Sequence, residues 1–245
     1  MNKKEVVLVP YLHSISFANA DIIDLSLGRM SLINIQNQLF KPRNLLLKKI
    51  AEIMLVIAML PVMAVLFAVI AILIKLDSPG GILFRQERMG KDNKPFRCYK
   101  FRSMYENGEE LLAEYLEVNP QEKAYYERFH KYHNDPRITQ VGKIVRKLSL
   151  DELPQIINVL KGEMNLIGPR PYMPGEKEKM GSSTETILHV APGLTGLWQV
   201  SGRNELDFKE RVELDNWYIQ NWSLWLDFII FMKTFEVLFS RKGAK

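Results

Sequence analysis

A single cysteine, Cys98, stands among 245 residues, so the chain can form no intramolecular disulfide and no multi-cysteine metal site. The lone thiol fits a reducing compartment. No secretory signal is expected from the first residues: Lys3 and Lys4 are followed by an apolar stretch that His13, Asn19, Asp21 and Asp24 interrupt. Charge itself is missing from residues 53–74, a strongly apolar run of 22 residues. A run of that length can cross a hydrocarbon core as a straight helix, and a buried core helix rarely stays apolar on every face for so long.

Two features complicate a simple crossing. Pro61 lies inside the run and is expected to kink or break a helix. Basic residues flank both ends, with Lys41, Arg43, Lys48 and Lys49 before it and Lys75, Arg85 and Arg88 after it. The positive-inside rule therefore selects no direction and is better satisfied with both ends on one face. A re-entrant hairpin fits this pattern, and a single span is the alternative.

The net charge of +5 and pI near 9.1 call for an anionic partner, whether nucleic acid, nucleotide or membrane surface. The basic residues cluster beside the apolar run, which argues against nucleic acid. The length allows one or two domains with a proper core. Residues 1–40 have mixed polarity, a short β-like run at residues 6–9 and no chemical motif.

Beyond the apolar run, Asp77-Ser78-Pro79-Gly80-Gly81 is a turn cluster. In residues 95–104 apolar and basic residues alternate as in a strand, with Arg97 and Tyr99 on one face and Cys98, Lys100 and Arg102 on the other. Lys100 and Arg102 side by side make either a phosphate clamp or a basic face for lipid headgroups. Residues 107–131 are helical and charged. The block His133-Asn134-Asp135-Pro136-Arg137-Ile138-Thr139 is a turn leading to a helix over 141–147 that carries Lys143 and Arg146.

Next comes Lys147-Leu148-Ser149-Leu150-Asp151-Glu152-Leu153-Pro154. Ser149 with Glu152 three residues on has the form of a capping box at a helix start. Capping does not account for Asp151, whose carboxylate sits where helix N–H groups favour negative charge, including that of an attached phosphoryl group. The helix is expected to tolerate Pro154 in its first turn and to end at Lys161-Gly162. Residues 191–204 form a glycine-punctuated loop in which backbone can approach a ligand closely, and Arg203 offers a planar fork for phosphate. Residues 217–239 are rich in Trp and Phe yet keep Asp227, Lys233 and Glu236, a mixture suited to a helix in the membrane interface. An amphipathic core helix is the alternative.

Five motifs in order carry a resemblance over about residues 46–245: Ser78-Pro79-Gly80, Tyr99-Lys100-Phe101-Arg102-Ser103-Met104, Leu148-Ser149-Leu150-Asp151-Glu152-Leu153-Pro154, Gly168-Pro169-Arg170-Pro171 and Pro192-Gly193-Leu194-Thr195-Gly196. In these the chain resembles the bacterial sugar transferases, the monotopic polyprenyl-phosphate phosphoglycosyl transferases. The resemblance implies a mainly helical α/β fold: an extension over 1–45, a re-entrant membrane helix over 46–76, and a cytoplasmic catalytic domain over 77–245 with short β elements and interfacial amphipathic helices. It implies transfer of a sugar-1-phosphate from a UDP-sugar to undecaprenyl phosphate at the cytoplasmic face of the bacterial inner membrane, to initiate exopolysaccharide, capsule or O-antigen synthesis. Asp151 would be the nucleophile and Glu152 its catalytic neighbour and Mg²⁺ ligand. Lys100, Arg102, Arg146, Arg170 and Arg203 would contact substrate phosphates or nucleotide. Membrane lipid is an implied partner, and a homodimer is a family tendency.

The residues 198–203 and 222–227 look more like members using glucose or galactose phosphate than those using N-acetylated, deoxygenated sugars. Two positions depart from the family pattern: Glu52 stands where an aspartate is usual, and Pro61 precedes by about one turn the usual break proline, near Val65. A catalytically silent, membrane-anchored nucleotide or lipid-phosphate binding protein is the rival reading, and it could dispense with Asp151 and Glu152.

Overall fold

The computed structural model describes residues 20–25, 30–35, 37–129, 132, 134–202 and 206–240. The β-like run at residues 6–9, together with His133, Arg203 and Asn204, lies outside the described residues. In chain order the elements are β1 (Ala20–Leu25), β2 (Met30–Ile35), α1 (Pro42–Asp77), β3 (Leu83–Met89), β4 (Pro95–Phe101), α2 (Gly108–Val118), α3 (Gln121–Phe129) and α4 (Gln140–Lys147). A 3₁₀ segment (Leu150–Gln155) leads into α5 (Ile156–Leu160). Then come β5 (Asn165–Ile167), α6 (Thr184–Leu188), β6 (Gly193–Thr195), α7 (Leu197–Ser201), α8 (Phe208–Gln220) and α9 (Leu224–Ser240). The chain is thus mainly helical, with three two-stranded sheets among the described residues: β1 with β2 and β3 with β4 antiparallel, and β5 with β6 parallel.

Helix α1 dominates the outline. It runs 36 residues, about 54 Å at 1.5 Å per residue. Among the described residues it is the one helix long and apolar enough to cross a membrane. Pro42 opens it at a position where the missing N–H costs nothing. The interruption expected at Pro61 is not found: the helix continues through it, although proline cannot donate the bond that Ile57 would have accepted. Pro61 faces outward, where its ring meets no packed neighbour across the helix.

A narrow stripe of α1 docks on the rest of the protein. Lys48, Glu52 and Val56 are buried toward its start, Ile70 and Ile74 toward its end, and Met63 and Phe67 are partly covered between them. Between the basic residues near its two ends the other faces stay apolar and exposed, among them Met54, Ile57, Val62, Val65 and Ile72. Both ends of the helix therefore attach to one body.

The attachment at the start of α1 is ionic. Lys48, 2% exposed, donates from Nζ to Glu52 Oε1 (2.6 Å), Asp227 Oδ2 (2.7 Å) and the Ile167 carbonyl (2.9 Å), and lies 3.2 Å from the Tyr218 hydroxyl. Glu52 accepts the backbone N–H groups of Leu166 and Ile167, each at 3.1 Å. Asp227 accepts from the Tyr218 hydroxyl (2.7 Å) and from Trp222 Nε1 (2.9 Å). A charged cluster this dry persists only when its lone pairs and protons are met, as these are. The network joins α1 to β5, α8 and α9.

Asp227 is thus not part of a wetted interfacial face. The segment expected as one interfacial helix is two helices broken after Gln220, and α9 turns Asp227 and Ile230 inward while Trp225, Phe228, Met232 and Phe235 face outward. Likewise the helical stretch after residue 107 is divided, because Pro120 cannot continue the hydrogen-bond ladder of α2.

The glycine motifs serve packing. A Cβ on Gly193 would meet the backbone N of Gly168 at 2.1 Å, and one on Gly196 would meet the Gly168 carbonyl oxygen at 2.2 Å. These glycines of the loop let β6 and the residues after it lie against the backbone at Gly168, just beyond β5.

Replacing Lys48 by alanine leaves two buried carboxylates without their cation and is expected to lower unfolding free energy by about 3–5 kcal/mol in a denaturant titration. The Lys233→Ala change, on the exposed face of the same α9, should stay within about 0.5 kcal/mol.

Candidate active site

The acidic pair does not start an α-helix with a capping box. Ser149 takes φ 56 and ψ 21, the left-handed region, and its side chain caps nothing. The six residues Leu150–Gln155 form a 3₁₀ segment with Pro154 inside it, and regular α-helix begins only at Ile156. A serine held at positive φ is uncommon and marks a turn whose surroundings over-determine it. The turn swings Asp151 and Glu152 toward β4. The far end behaves as the composition suggested: Gly162, at φ +76, follows α5.

Strand β4 is fixed to this region by Asn158, a fully buried side chain of α5. Its Oδ1 accepts from the Tyr99 N–H (3.1 Å), and its Nδ2 donates to the Arg97 carbonyl (2.8 Å) and Glu163 Oε2 (2.6 Å). Alternation along the strand then buries Cys98 in the core and leaves Lys100 on the same face at the rim. Lys100 Nζ donates to Glu152 Oε1 at 2.8 Å. Cys98, in the core, has its thiol pushed up to about 11 by burial and stays protonated.

Five of the expected site residues, Lys100, Arg102, Arg146, Asp151 and Glu152, line one cavity of about 800 Å³. Arg146 Nε donates to Ser103 Oγ at 2.8 Å, which orients its guanidinium. Arg102 is committed to the turn after α1. Its Nη2 donates to the Ser78 carbonyl (2.8 Å) and Ser78 Oγ (3.0 Å), and its Nη1 to the Pro79 carbonyl. Its position is therefore that of a strut as well as a wall.

Arg170 does not line the cavity. Its guanidinium stacks 5.3 Å from the centre of the Trp198 ring, as does that of Arg211, and Trp198 is the side chain that reaches the cavity. The Arg170 N–H donates to Asp215 Oδ2 (3.0 Å), which also accepts from the Tyr172 hydroxyl (2.8 Å). Burial lifts Asp215 to about 7 despite those two bonds.

Other wall residues were not singled out from sequence. Arg137 is one: Asp135 holds it through Nε (2.8 Å) and Nη2 (2.7 Å). Burial alone would raise the Asp135 carboxyl, but the hydrogen bonds from Arg137 keep it below its ordinary value. Aspartate two residues before arginine in a proline turn is the local signal for this pair. Ser103 and the Trp198-Gln199 dipeptide complete the wall, and they are joined to Arg146 and Asp151 only by tertiary structure.

Asp151 is the electrostatic outlier. Burial first, and then the neighbouring Glu152 carboxylate, raise it to about 6, while Lys100 and Arg146 pull the other way. A carboxyl poised near neutrality in a cation-lined cavity is a functional-site signature. Such a cavity can bind a polyanion and present a carboxylate oxygen to it. Among the described residues no three His, Cys, Asp or Glu side chains are grouped to hold a metal by themselves. Mg²⁺ suits few carboxylates completed by phosphate oxygens, so Glu152 fits it only together with a bound diphosphate.

An exposed apolar helix, a candidate membrane anchor, is thus fixed beside a cation-lined cavity that holds a pair of carboxylates, an arrangement suited to anionic ligands. The chain belongs to the bacterial sugar transferase family, whose model matches residues 43–241. It is 42% identical, over 98% of its length and 50% of the relative's, to an undecaprenyl-phosphate galactose phosphotransferase of Salmonella typhimurium. It is 41% identical, over 80% of its length and 87% of the relative's, to the exopolysaccharide production protein ExoY of Sinorhizobium fredii. An undecaprenyl-phosphate glucose phosphotransferase of Komagataeibacter xylinus is 38% identical over 88% of this chain and 40% of its own. The chain spans half or less of the length of the two phosphotransferases.

The Asp151→Asn change removes a charge whose burial is unfavourable. With the folded group near 6 and the unfolded group near 3.8, the wild type loses stability as pH rises between those values, because the unfolded chain releases the proton first. The variant is expected to match the wild type below about pH 4 and to be about 1–3 kcal/mol more stable above about pH 6, read by denaturant melts across pH.

Proposed function

We propose that the chain transfers a hexose-1-phosphate from a UDP-hexose to undecaprenyl phosphate through a covalent phosphosugar on Asp151. The observation that carries this is Asp151 itself, half-buried, raised to about 6, and placed in one cavity with Lys100 and Arg146. A carboxylate near neutrality is ionised enough at cellular pH to attack and is a competent leaving group afterwards. The names of the relatives, a galactose and a glucose phosphotransferase acting on undecaprenyl phosphate, support the acceptor and the sugar class.

In the first step an Asp151 carboxylate oxygen bonds to the sugar-bearing β-phosphorus, and the bond from that phosphorus to the bridging oxygen breaks. UMP leaves with the electron pair. In the second step an oxygen of the lipid phosphate attacks the same phosphorus and displaces Asp151, giving a lipid diphosphate sugar. Arg146, oriented by Ser103, and Lys100 offset the charge that accumulates on the phosphoryl oxygens. Arg170 and Arg203 are proposed as contacts to the nucleotide portion, Arg170 acting beside Trp198. Arg102, itself a wall residue, holds the Ser78-Pro79 turn at the end of α1. Glu152 would hold Mg²⁺, which would supply positive charge to neutralise the phosphates when bound.

Helix α1 supplies the location. Both of its ends are fastened to the same body, which supports a placement on one side of a bilayer, and its exposed apolar faces are proposed to sit in one leaflet of the inner membrane. With α1 there, the cavity is proposed to face the cytoplasm at the depth of the lipid phosphate. The outward Trp225, Phe228, Met232 and Phe235 of α9 add a second contact at headgroup level.

Incubation with Mg²⁺, undecaprenyl phosphate and UDP-galactose or UDP-glucose is expected to release UMP and form a lipid-linked sugar. Asp151→Asn should abolish both while remaining in the membrane fraction, and Arg146→Ala should lower turnover by about 10²–10³-fold. Turnover is expected to rise with pH through about 6 as Asp151 ionises. Absence of lipid-linked product with every UDP-sugar would leave the binding-protein reading in its place.

A further inference from the structure

Asp77 is the last residue of α1, and its carboxylate reaches out of that helix. Its Oδ2 accepts the backbone N–H of Val141 at 3.0 Å. Val141 lies in the first turn of α4, where N–H groups have no partner within the helix. The next N–H, that of Gly142, is met locally by Thr139 Oγ1 at 2.9 Å. Val141 is met by a side chain 64 residues away on another element.

The contact is built on both sides. Ile70 and Ile74 of α1 form a small core with Phe101 and with Val145 of α4. The Thr139 N–H donates to the Ser103 carbonyl at 3.1 Å, and Ser103 Oγ is the group that orients Arg146. At its other end α4 carries Arg146, and the Ser149 N–H bonds the Arg146 carbonyl at 3.0 Å before the turn into Asp151. An eight-residue helix is a rod of about 12 Å, so its start controls where its end delivers Arg146 and the acidic turn.

We propose that Asp77 is a positioning residue, through which the end of the apolar helix sets the placement of Arg146 and Asp151 in the cavity. The anchor is then part of the catalytic frame as well as a tether. The proposal rests on the transferase reading for its kinetic readout and is independent of it for its structural one.

The test uses the full chain in lipid nanodiscs, with UMP release from UDP-galactose and UDP-glucose and amide hydrogen exchange over residues 142–155. Asp77→Ala is expected to lower kcat about 10- to 100-fold with KM for the donor changed less than about twofold, since misplacement of reacting groups acts on turnover. Asp77→Asn keeps an acceptor oxygen and should recover most of that loss. Val141→Pro removes the donor N–H at a first-turn position that accepts proline and should reproduce the alanine variant. Exchange over 142–155 should quicken in the alanine and proline variants and stay near wild type in the asparagine variant. Wild-type kcat and exchange in Asp77→Ala would overturn the proposal. So would an asparagine variant as impaired as alanine beside a proline variant that behaves as wild type. Should the alanine variant fail to fold, the proline variant against wild type decides. A wild type that releases no UMP from either donor sinks the transferase reading, and the exchange comparison still decides the role of Asp77.

Discussion

The cation of Lys48 between Glu52, Asp227 and the Ile167 carbonyl is the interaction on which the rest of the structure depends. An apolar helix has nothing on its own surface to select one orientation against a protein body, because every face offers similar packing. One lysine and one glutamate a turn apart break that equivalence. Their burial is unfavourable unless Asp227, Tyr218, Trp222 and the backbone of β5 meet them together, so the helix has one seat. The same contacts hold Ile167, and thereby the Gly168-Pro169-Arg170-Pro171 segment that leads to Asp215 and Trp198. One end of the apolar helix thus braces the segment whose Arg170 packs on Trp198, a wall residue of the cavity.

The other end braces the near wall. Ile70 and Ile74 pack on Phe101 and Val145, Asp77 reaches α4, and Arg102 ties the Ser78-Pro79 turn to the end of β4. The cavity is therefore stretched between two attachments of a single helix. This arrangement explains how a small body can hold Asp151 in a raised state. Fixed neighbours keep the desolvated carboxyl near Lys100 and Arg146 without pairing it to either, whereas Glu152 takes the direct ion pair with Lys100. Two adjacent carboxylates are thereby given different work by their surroundings.

Much of this was legible in the sequence, and what was missed has physical causes. The apolar run, strand β4, helix α4 and the acidic turn all follow from local pattern, and Lys100, Arg102, Arg146, Asp151 and Glu152 were assigned to one site that the cavity now brings together. Ser149 shows the limit. Its spacing to Glu152 matches a capping box, but the chain takes a left-handed turn there and Glu152 pairs instead with Lys100, a residue on a distant strand. Asp227 was read as a wetted residue among aromatics, since nothing local announces a lysine 179 positions earlier. Pro61 carries the usual signal of a break, yet outward placement lets the helix run on. Local pattern marks Gly193 and Gly196 only as loop glycines, and the parallel pairing of β5 with β6 is what sets their backbone against Gly168. In each case the deciding partner is remote in sequence.

The central claim is that Asp151 becomes covalently linked to the phosphosugar. Its most direct test is to mix the full chain with Mg²⁺ and UDP-galactose or UDP-glucose without lipid acceptor, quench in acid, and map the digested protein by mass spectrometry. The account predicts one added hexosyl phosphate on the peptide containing Asp151, lost when undecaprenyl phosphate is supplied before the quench. UMP release with no adduct, or an adduct that persists in Asp151→Asn, would contradict it.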